Sequence, residues 1–574
     1  MTTTTNRRRR VIAAALSPLL IAPTVFAADV SWLTPGTGFW DDAANWPGTV
    51  LPTGADDVTI DLGASTAVIR QLPGDLAGPL TQYAVGSLHA LSSIEHAGGS
   101  LLVKGNATFE EAFTWSGGVL HVDASVPSGT WTFRKGIHLT APGLVGMNAG
   151  RVELQGTSIF EGGGGLLAGS RPVHVTSGAT LDLRAGTFAS FGELVNDGTI
   201  DRTAGTGTYQ MFVQSGGNQG VVRNRTGVLE FVPAGFDPLS HSGTFSVDAG
   251  AELHFVGAQT FLDTISGSGN VRFSTFNDFN VEAAKFALDG TVILDTGAKA
   301  LWNGNGTIRN LTLAGANFLP QGRIDIINRV RVDAFSTAGG ATDSRARFLG
   351  GLDLRANFVV NSGAVELGGS TVVDGDVGLG ISSAATVTVL PGASLRLAND
   401  ATPTGAGAIL GGGRLVNQGL VQRDTGTGEF VVGADLVNEG TLALKSGRMS
   451  VALKFEQSGV GKLAIELGSV SGPLAVSGSA SFAGMLEIAF ADGFLPTLGQ
   501  TFDLVTYADH TGTFTLSPAG EAGRTGYTYV LHYEDHRLGL EVTGLAAPVP
   551  EPGTYAMFGA GLGLLLLVRG RRTR

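Results

Sequence analysis

The sequence predicts an all-β chain, a right-handed parallel β-helix closed by a C-terminal β cap and followed by a single apolar helix. Three observations predict it. Short phrases of alternating apolar and polar residues recur along the middle of the chain. They recur at roughly 20–30 residues, the length of one solenoid turn built from short strands and glycine corners. Between the two ends, no segment carries the 3.6-residue apolar period of a helix. A β-sandwich array is the rival, but it needs longer strands joined by hairpin turns.

Residues 1–27 read as a secretory signal peptide. Asn6 is followed by Arg7, Arg8, Arg9 and Arg10, then by an apolar run from Val11 to Ala27. Val25-Phe26-Ala27 places small or permissive residues at a cleavage site, so cutting after Ala27 or Ala28 is expected, through the general secretion machinery. Pro18 and Pro23 interrupt the run, which argues against a lasting anchor.

Residues 28–62 are a Trp-rich cap segment. Trp32, Trp40 and Trp46 precede Pro52 and Asp56-Asp57-Val58-Thr59-Ile60. A β-helix needs its ends closed because an open coil exposes unpaired strand edges, and three indoles supply apolar bulk for that. A sugar-binding aromatic platform is the functional alternative. The segment resembles the opening of many surface β-helix and autotransporter-like proteins.

Residues 63–455 form the repeat body. Leu194-Val195-Asn196-Asp197-Gly198-Thr199-Ile200 returns as Leu415-Val416-Asn417-Gln418-Gly419-Leu420-Val421 and as Leu436-Val437-Asn438-Glu439-Gly440-Thr441-Leu442. The first two copies continue alike, with Arg202 and Arg423 at matching places. A second phrase begins at Gly178-Ala179, Gly250-Ala251 and Gly392-Ala393. Each phrase is a turn followed by a strand with one buried face. The Asn-x-Gly unit is expected to supply left-handed backbone at a corner. Arg202 and Arg423, recurring with the phrase, are expected to decorate coils.

Residues 456–545 form a C-terminal β region. Its alternations resemble the segment that follows autotransporter passenger repeats, although no β-barrel translocator stands behind them. Tyr527 to Tyr533 and Leu538 to Val542 read as a closing hairpin.

Composition bounds the function classes. The 574 residues include 87 Gly and no Cys, so an exported form relies on burial and backbone pairing rather than disulfides. Charged residues are 15% and the net charge is −12, which argues against nucleic acid or an anionic membrane as partner.

Candidate chemistry is sparse. His532 and His536 have zincin spacing, but their flanks alternate like strands, so the pair should straddle a turn. Asp41-Asp42 and Asp56-Asp57 are oxygen donors at turns without the repeated Asp-bearing nonapeptides of a calcium β-roll. Gly162 to Gly165 lacks the Lys and Ser/Thr of a phosphate loop, and Gly267-Ser268-Gly269 lacks the strand-to-helix setting of a nucleophile elbow. No catalytic residue, metal or cofactor is expected.

Residues 546–574 are a tail of three parts. Pro550-Glu551-Pro552 keep the chain extended, Gly553 to Val568 form an uncharged apolar helix, and Arg569, Arg571, Arg572 and Arg574 follow. The helix (553–568) would rise about 24 Å, a little short of a hydrocarbon core of about 30 Å. The arginines would stay cytoplasmic and the body would lie outside. This order resembles the PEP-CTERM sorting signal of Gram-negative bacteria. The resemblance implies recognition and processing by an exosortase, transient membrane association, and delivery to the cell surface or exopolysaccharide matrix. Together these readings predict a non-enzymatic, adhesin-like structural protein. The alternative is a β-helix polysaccharide lyase or glycosidase, which would gather carboxylates and basic residues in one groove.

Overall fold

The computed structural model describes residues 28–544 except 72–81, 123–128, 149, 236, 276–277, 375–376, 399, 401–407, 469–471, 492 and 518–526, together with 557, 559, 560, 562 and 564. It is an all-β parallel solenoid of about 18 turns. Each turn lays one short strand on each of three rows. From Leu239 onward the rows separate progressively into three further sheets, of 15, 10 and 7 strands. In the N-terminal half the rows join into one 30-stranded sheet, because long strands bend around a corner. Ser93–Val103 pairs its first residues with Thr66–Ile69 and its last with Gln82–Val85, bending at Gly98-Gly99.

The strands form because apolar residues alternate with polar ones at period two. In Lys462–Leu467 every second side chain is buried. In-register parallel pairing then stacks like residues from coil to coil. Phe231, Phe255 and Phe273 form a column with centroids 5.8 and 5.7 Å apart and nearly parallel rings. Each such side chain contributes roughly 1.5–3 kcal/mol by leaving water.

Corner glycines serve two physical purposes. Gly178, Gly250 and Gly392 adopt φ of 81 or 82° with open space where a Cβ would stand. They are left-handed turn residues. Gly198, Gly419 and Gly440, from the Asn-x-Gly phrases, are absent from the left-handed set. A Cβ at Gly198 would lie 2.5 Å from the Ala179 carbonyl oxygen, so these glycines are required by the closeness of the preceding coil.

The asparagines of that phrase also correct the sequence expectation. They are not left-handed corner residues. Thr49 and Thr275 are the left-handed non-glycine residues among those described. Asn196, Asn417 and Asn438 instead end strands and point into the core, each 0% exposed. Asn417 Nδ2 donates to Asn438 Oδ1 at 2.8 Å, and Asn438 Nδ2 donates to Gln457 Oε1 at 2.9 Å. Asn196 Nδ2 donates likewise to Asn218 Oδ1 at 2.6 Å. Asn218-Gln219-Gly220 is thus a further copy of the phrase. Gly216-Gly217 stand where the other copies have Leu-Val, which hides it in the sequence.

Two buried histidines interrupt the apolar core. His241 is locked between neighbours. Its Nε2 donates to Gln259 Oε1 at 3.0 Å, and its Nδ1 accepts the Asn218 N–H at 3.1 Å. His96 donates from Nδ1 to the Gly117 carbonyl at 2.6 Å. Burial lowers both imidazoles from 6.5 to about 4. Both are therefore neutral when folded, whereas the unfolded chain binds protons below 6.5. Stability is full above that value and falls as pH drops from 6.5 towards 4, by about 3 kcal/mol per histidine. Hydrogen exchange should therefore show coils 93–122 and 221–261 losing protection across that window. In His241→Phe the second region's acid slope should flatten. An unchanged slope would exclude His241 as its source.

The ends are closed differently. Trp32, Trp40 and Trp46 are 6%, 1% and 1% exposed, with Trp46 Nε1 donating to the Trp40 carbonyl. Their faces meet one another at 4.9 and 5.1 Å rather than solvent, so they plug the first coil and offer no sugar platform. At the other end, Thr528–Glu534 and Arg537–Gly544 form an antiparallel hairpin that adds antiparallel to Thr501–Thr506. Reversing the strand direction ends that row. Most of the expected helix 553–568 lies outside the described residues. Among those described, no helix is long and apolar enough to cross a membrane.

Candidate functional site

The sorting residues Pro550, Glu551 and Pro552, the cluster Arg569, Arg571, Arg572 and Arg574, and Ala27 lie outside the described residues. Ala28 is described. Its carbonyl accepts the Asp57 N–H at 2.9 Å, just before the first strand, Asp29–Ser31. A cut at Ala27 keeps that bond and a cut at Ala28 removes it.

The acidic pairs near the start are already engaged. Asp41 holds Arg70 at 3.0 Å, and Asp42 caps the Ala44 N–H. Asp56 accepts from Thr53, and Asp57 accepts from Ser87. Within Gly162 to Gly165, Gly162 and Gly164 pack on the carbonyls of Ala141 and Gly143, so the run serves coil stacking. Gly267-Ser268-Gly269 is a corner, with Gly267 at φ 121°. His532 lies on the first hairpin strand, and His536 sits in the turn itself rather than on the far side of it. His532 bonds Glu541 at 2.8 Å, and His536 bonds the Ala508 carbonyl at 2.9 Å.

Arg202 and Arg423 correct a second expectation. They do not decorate the outside, being 2% and 0% exposed. Arg202 donates to the carbonyls of Thr226 at 3.1 Å and Gly207 at 2.9 Å, over the Tyr209 ring. Arg423 donates to Gly428 at 3.1 Å and Asp400 at 2.6 Å, over Phe430. Burial lowers the Arg202 pKa and raises the Tyr209 hydroxyl, so cation and neutral ring coexist. Each guanidinium holds a Gly-Thr-Gly corner from within. A planar fork reaching backbone carbonyls is a task that an apolar side chain cannot perform.

Charges on the outer faces pair between neighbouring coils. Arg272 bridges Glu252 at 2.7 Å and Asp295 at 2.9 Å. Arg347 bridges Glu366 at 2.9 Å and Asp325 at 3.5 Å. Such pairs are worth about 0–1 kcal/mol each, and they run along the rod rather than converging on one groove.

A concave feature stands out among the described residues. A cleft of about 310 Å³ is lined by Thr427, Leu444, Lys445, Ser446, Glu466 and Pro473, among others. In the first copy of the Gly-Thr-Gly corner, Gly227 sits on the carbonyls of Gly205 and Gly207. In the second, Gly447 sits likewise on Gly426 and Gly428. One coil further on, the link from Leu467 to Leu474 is longer than the link from Leu444 to Arg448. At the end of that link the Gly472 N–H donates to the Asp503 carbonyl at 2.8 Å. Gly447 lines the cleft. Sequence reading missed Lys445, Ser446 and Glu466. The only available signal was the lengthened link between two alternations.

The family model described as the PEP-CTERM protein-sorting motif matches residues 548–572. The match takes in Pro550-Glu551-Pro552, the apolar run and Arg569, Arg571 and Arg572. No curated protein matches the chain. Such a motif marks an exported protein sorted by an exosortase to the cell envelope or surface. The chain therefore carries a PEP-CTERM sorting motif behind a parallel β-solenoid body.

Proposed function

We propose that the protein is a non-enzymatic structural rod of the cell surface or exopolysaccharide matrix, adhesin-like in role. The observation that carries this reading is the parallel stacking of about 18 turns. At a strand spacing of roughly 4.8 Å, the body reaches on the order of 85 Å. Charges neutralised from coil to coil suit a stiff spacer whose Ser-, Thr- and Asn-bearing faces meet polysaccharide. Among the described residues lining the cleft there is one carboxylate, Glu466. Hydrolysis of a glycoside ordinarily uses two, which favours binding over catalysis.

In this reading the general secretion machinery exports the chain, and the signal peptide leaves at Ala27 or Ala28. The apolar helix 553–568 then holds the body outside the membrane, with Arg569, Arg571, Arg572 and Arg574 behind it. Exosortase action at Pro550-Glu551-Pro552 releases or transfers the body, so membrane association is transient. In a host that carries an exosortase, the Pro550→Ala/Pro552→Ala variant should accumulate in the membrane with its tail intact. The wild-type protein should reach the surface without the tail. Mass spectrometry of the C-terminal peptide decides, and an intact tail on matrix-recovered wild-type protein would sink the proposal.

A further inference from the structure

We infer that the loop 493–500 seats the foot of the rod on the outer face of the lipid bilayer while the sorting tail is still in place. The tether decides which part of the body stays near a membrane. Eight residues, 545–552, separate the last strand residue, Gly544, from the apolar run that begins at Gly553. At roughly 3.3–3.6 Å each they span at most about 29 Å, whereas the body reaches on the order of 85 Å. Only the terminal coils are therefore bound to stay within reach of the bilayer that holds the tail.

Those coils carry a surface suited to it. Leu495 and Leu498 are 67% and 61% exposed. In the solenoid body they are the only two exposed large apolar residues, among those described, that stand within three positions of each other. A closed turn presents them. The Phe494 N–H donates to the Ala491 carbonyl at 3.0 Å, the Gln500 N–H to the Thr497 carbonyl at 3.0 Å, and the Thr497 N–H to Gln500 Oε1 at 2.9 Å. Behind the leucines, Phe494 stacks on Phe490 at 5.9 Å and meets Phe502 at 6.0 Å, which gives the turn an apolar floor. The turn also stands at the root of the tail. The Gly499 N–H donates to the Val542 carbonyl at 2.8 Å, and the Val542 N–H to the Gln500 carbonyl at 3.0 Å, two residues before Gly544.

Residues 493–502 carry no charge. A patch built for anionic headgroups would present Lys or Arg. Exposed leucines on an uncharged turn backed by aromatic rings suit the apolar–polar boundary of a bilayer, where such side chains sit about 5–10 Å deep. The attraction is apolar, so it does not depend on headgroup charge. Two leucines alone make a weak and reversible hold, so the body leaves once the tail is cut. Until then the seat keeps Pro550-Glu551-Pro552 close to the bilayer, where a membrane-embedded enzyme works. This seat rests on the reading that the run 553–568 holds the body at the membrane.

The test uses the mature chain with its tail intact, reconstituted in phosphatidylcholine vesicles. The chain has no Cys, so a single dye can be placed at Thr497→Cys in the turn or at Ser240→Cys. Ser240 is exposed on the first strand of the 15-stranded sheet, twelve strand spacings or about 58 Å from Thr501–Thr506. Doxyl-labelled lipid should quench the Thr497 dye about threefold or more over the Ser240 dye, since the seated turn lies in the lipid boundary. Adding Leu495→Asn/Leu498→Asn should bring quenching down to the Ser240 level. Added phosphatidylglycerol or raised salt should change neither result. Hydrogen exchange over residues 485–542 should match wild type in the leucine variant, separating lost seating from lost fold. Equal quenching at the two dye positions would overturn the seat, as would quenching that survives the leucine changes. Quenching that appears only with a co-reconstituted exosortase would also overturn it, by assigning the loop to the enzyme. Vesicle flotation after an alkaline wash tells the two readings apart. A chain that floats with an unquenched Thr497 dye loses the seat alone. A chain that does not float loses the membrane-held tail, and the seat with it.

Discussion

Gly290→Ala is expected to open the middle of the solenoid. Its Cβ would fall on the carbonyl oxygen of Gly269, far inside van der Waals contact. The φ of Gly290 is not in the left-handed set, so the whole effect is steric. Neither side can yield easily. The Asp289 N–H is held by the Gly267 carbonyl at 2.7 Å, and the Thr291 N–H by Asn270 Oδ1 at 3.2 Å. Gly269 in turn presses on the Asp248 carbonyl, so displacement passes down the column. Overpacking of a rigid interior costs about 1–3 kcal/mol and sometimes more, and an obstructing backbone places this case at the upper end. A solenoid's stability is local to neighbouring turns, so the loss should appear as roughly 100-fold faster hydrogen exchange in coils 265–313. Gly250→Ala is the control. Gly250 is left-handed at φ 82° with nothing near its missing Cβ. It should cost only the backbone term, about 1–2 kcal/mol. Equal effects at the two sites would refute the distinction between the two kinds of glycine.

That distinction marks where sequence reading succeeds and where it stops. The period-two alternation of Leu415 to Val421 and of Leu436 to Leu442 identifies strands because each buries one face, and burial is a property of single residues. The 21-residue spacing of Asn417 and Asn438 identifies the coil for the same reason. What the alternation does not encode is direction at the corner. Asn and Gly are compatible with left-handed turns, with close stacking and with buried ladders, and only the neighbouring coil decides among them. Arg202 and Arg423 were misread for a related reason. A charge recurring with a repeat is ordinarily outside, and their carbonyl partners lie on loops whose shape depends on the fold. The tail was legible because its three parts are contiguous and each states its chemistry directly. The cleft was not, because its lining, from Gly426 to Ala491, comes together only once the coils stack.

Asn438→Leu carries the second large effect, because it breaks a polar column in the core. Asn438 accepts from Asn417 Nδ2 at 2.8 Å and donates to Gln457 Oε1 at 2.9 Å and to the Lys462 carbonyl at 3.0 Å. All three side chains are at most 1% exposed. Leucine nearly matches the volume, so little of the loss is cavity. The cost comes from three buried polar groups that each lose a partner, at about 1–3 kcal/mol per group, or at least ~3 kcal/mol in all. Denaturant-dependent hydrogen exchange over residues 414–467 measures it. The ladder is cooperative in a specific sense, since once one rung is gone its neighbours are already compromised. Asn417→Leu/Asn438→Leu should therefore cost less than the sum of the single changes, with a coupling of about 1–3 kcal/mol. Strictly additive costs would mean that the rungs act separately and that the repeated asparagine serves only its own corner. A coupled result would instead assign the amide column a part that disulfides play in other exported proteins, that of a lengthwise tie through a chain with no cysteine.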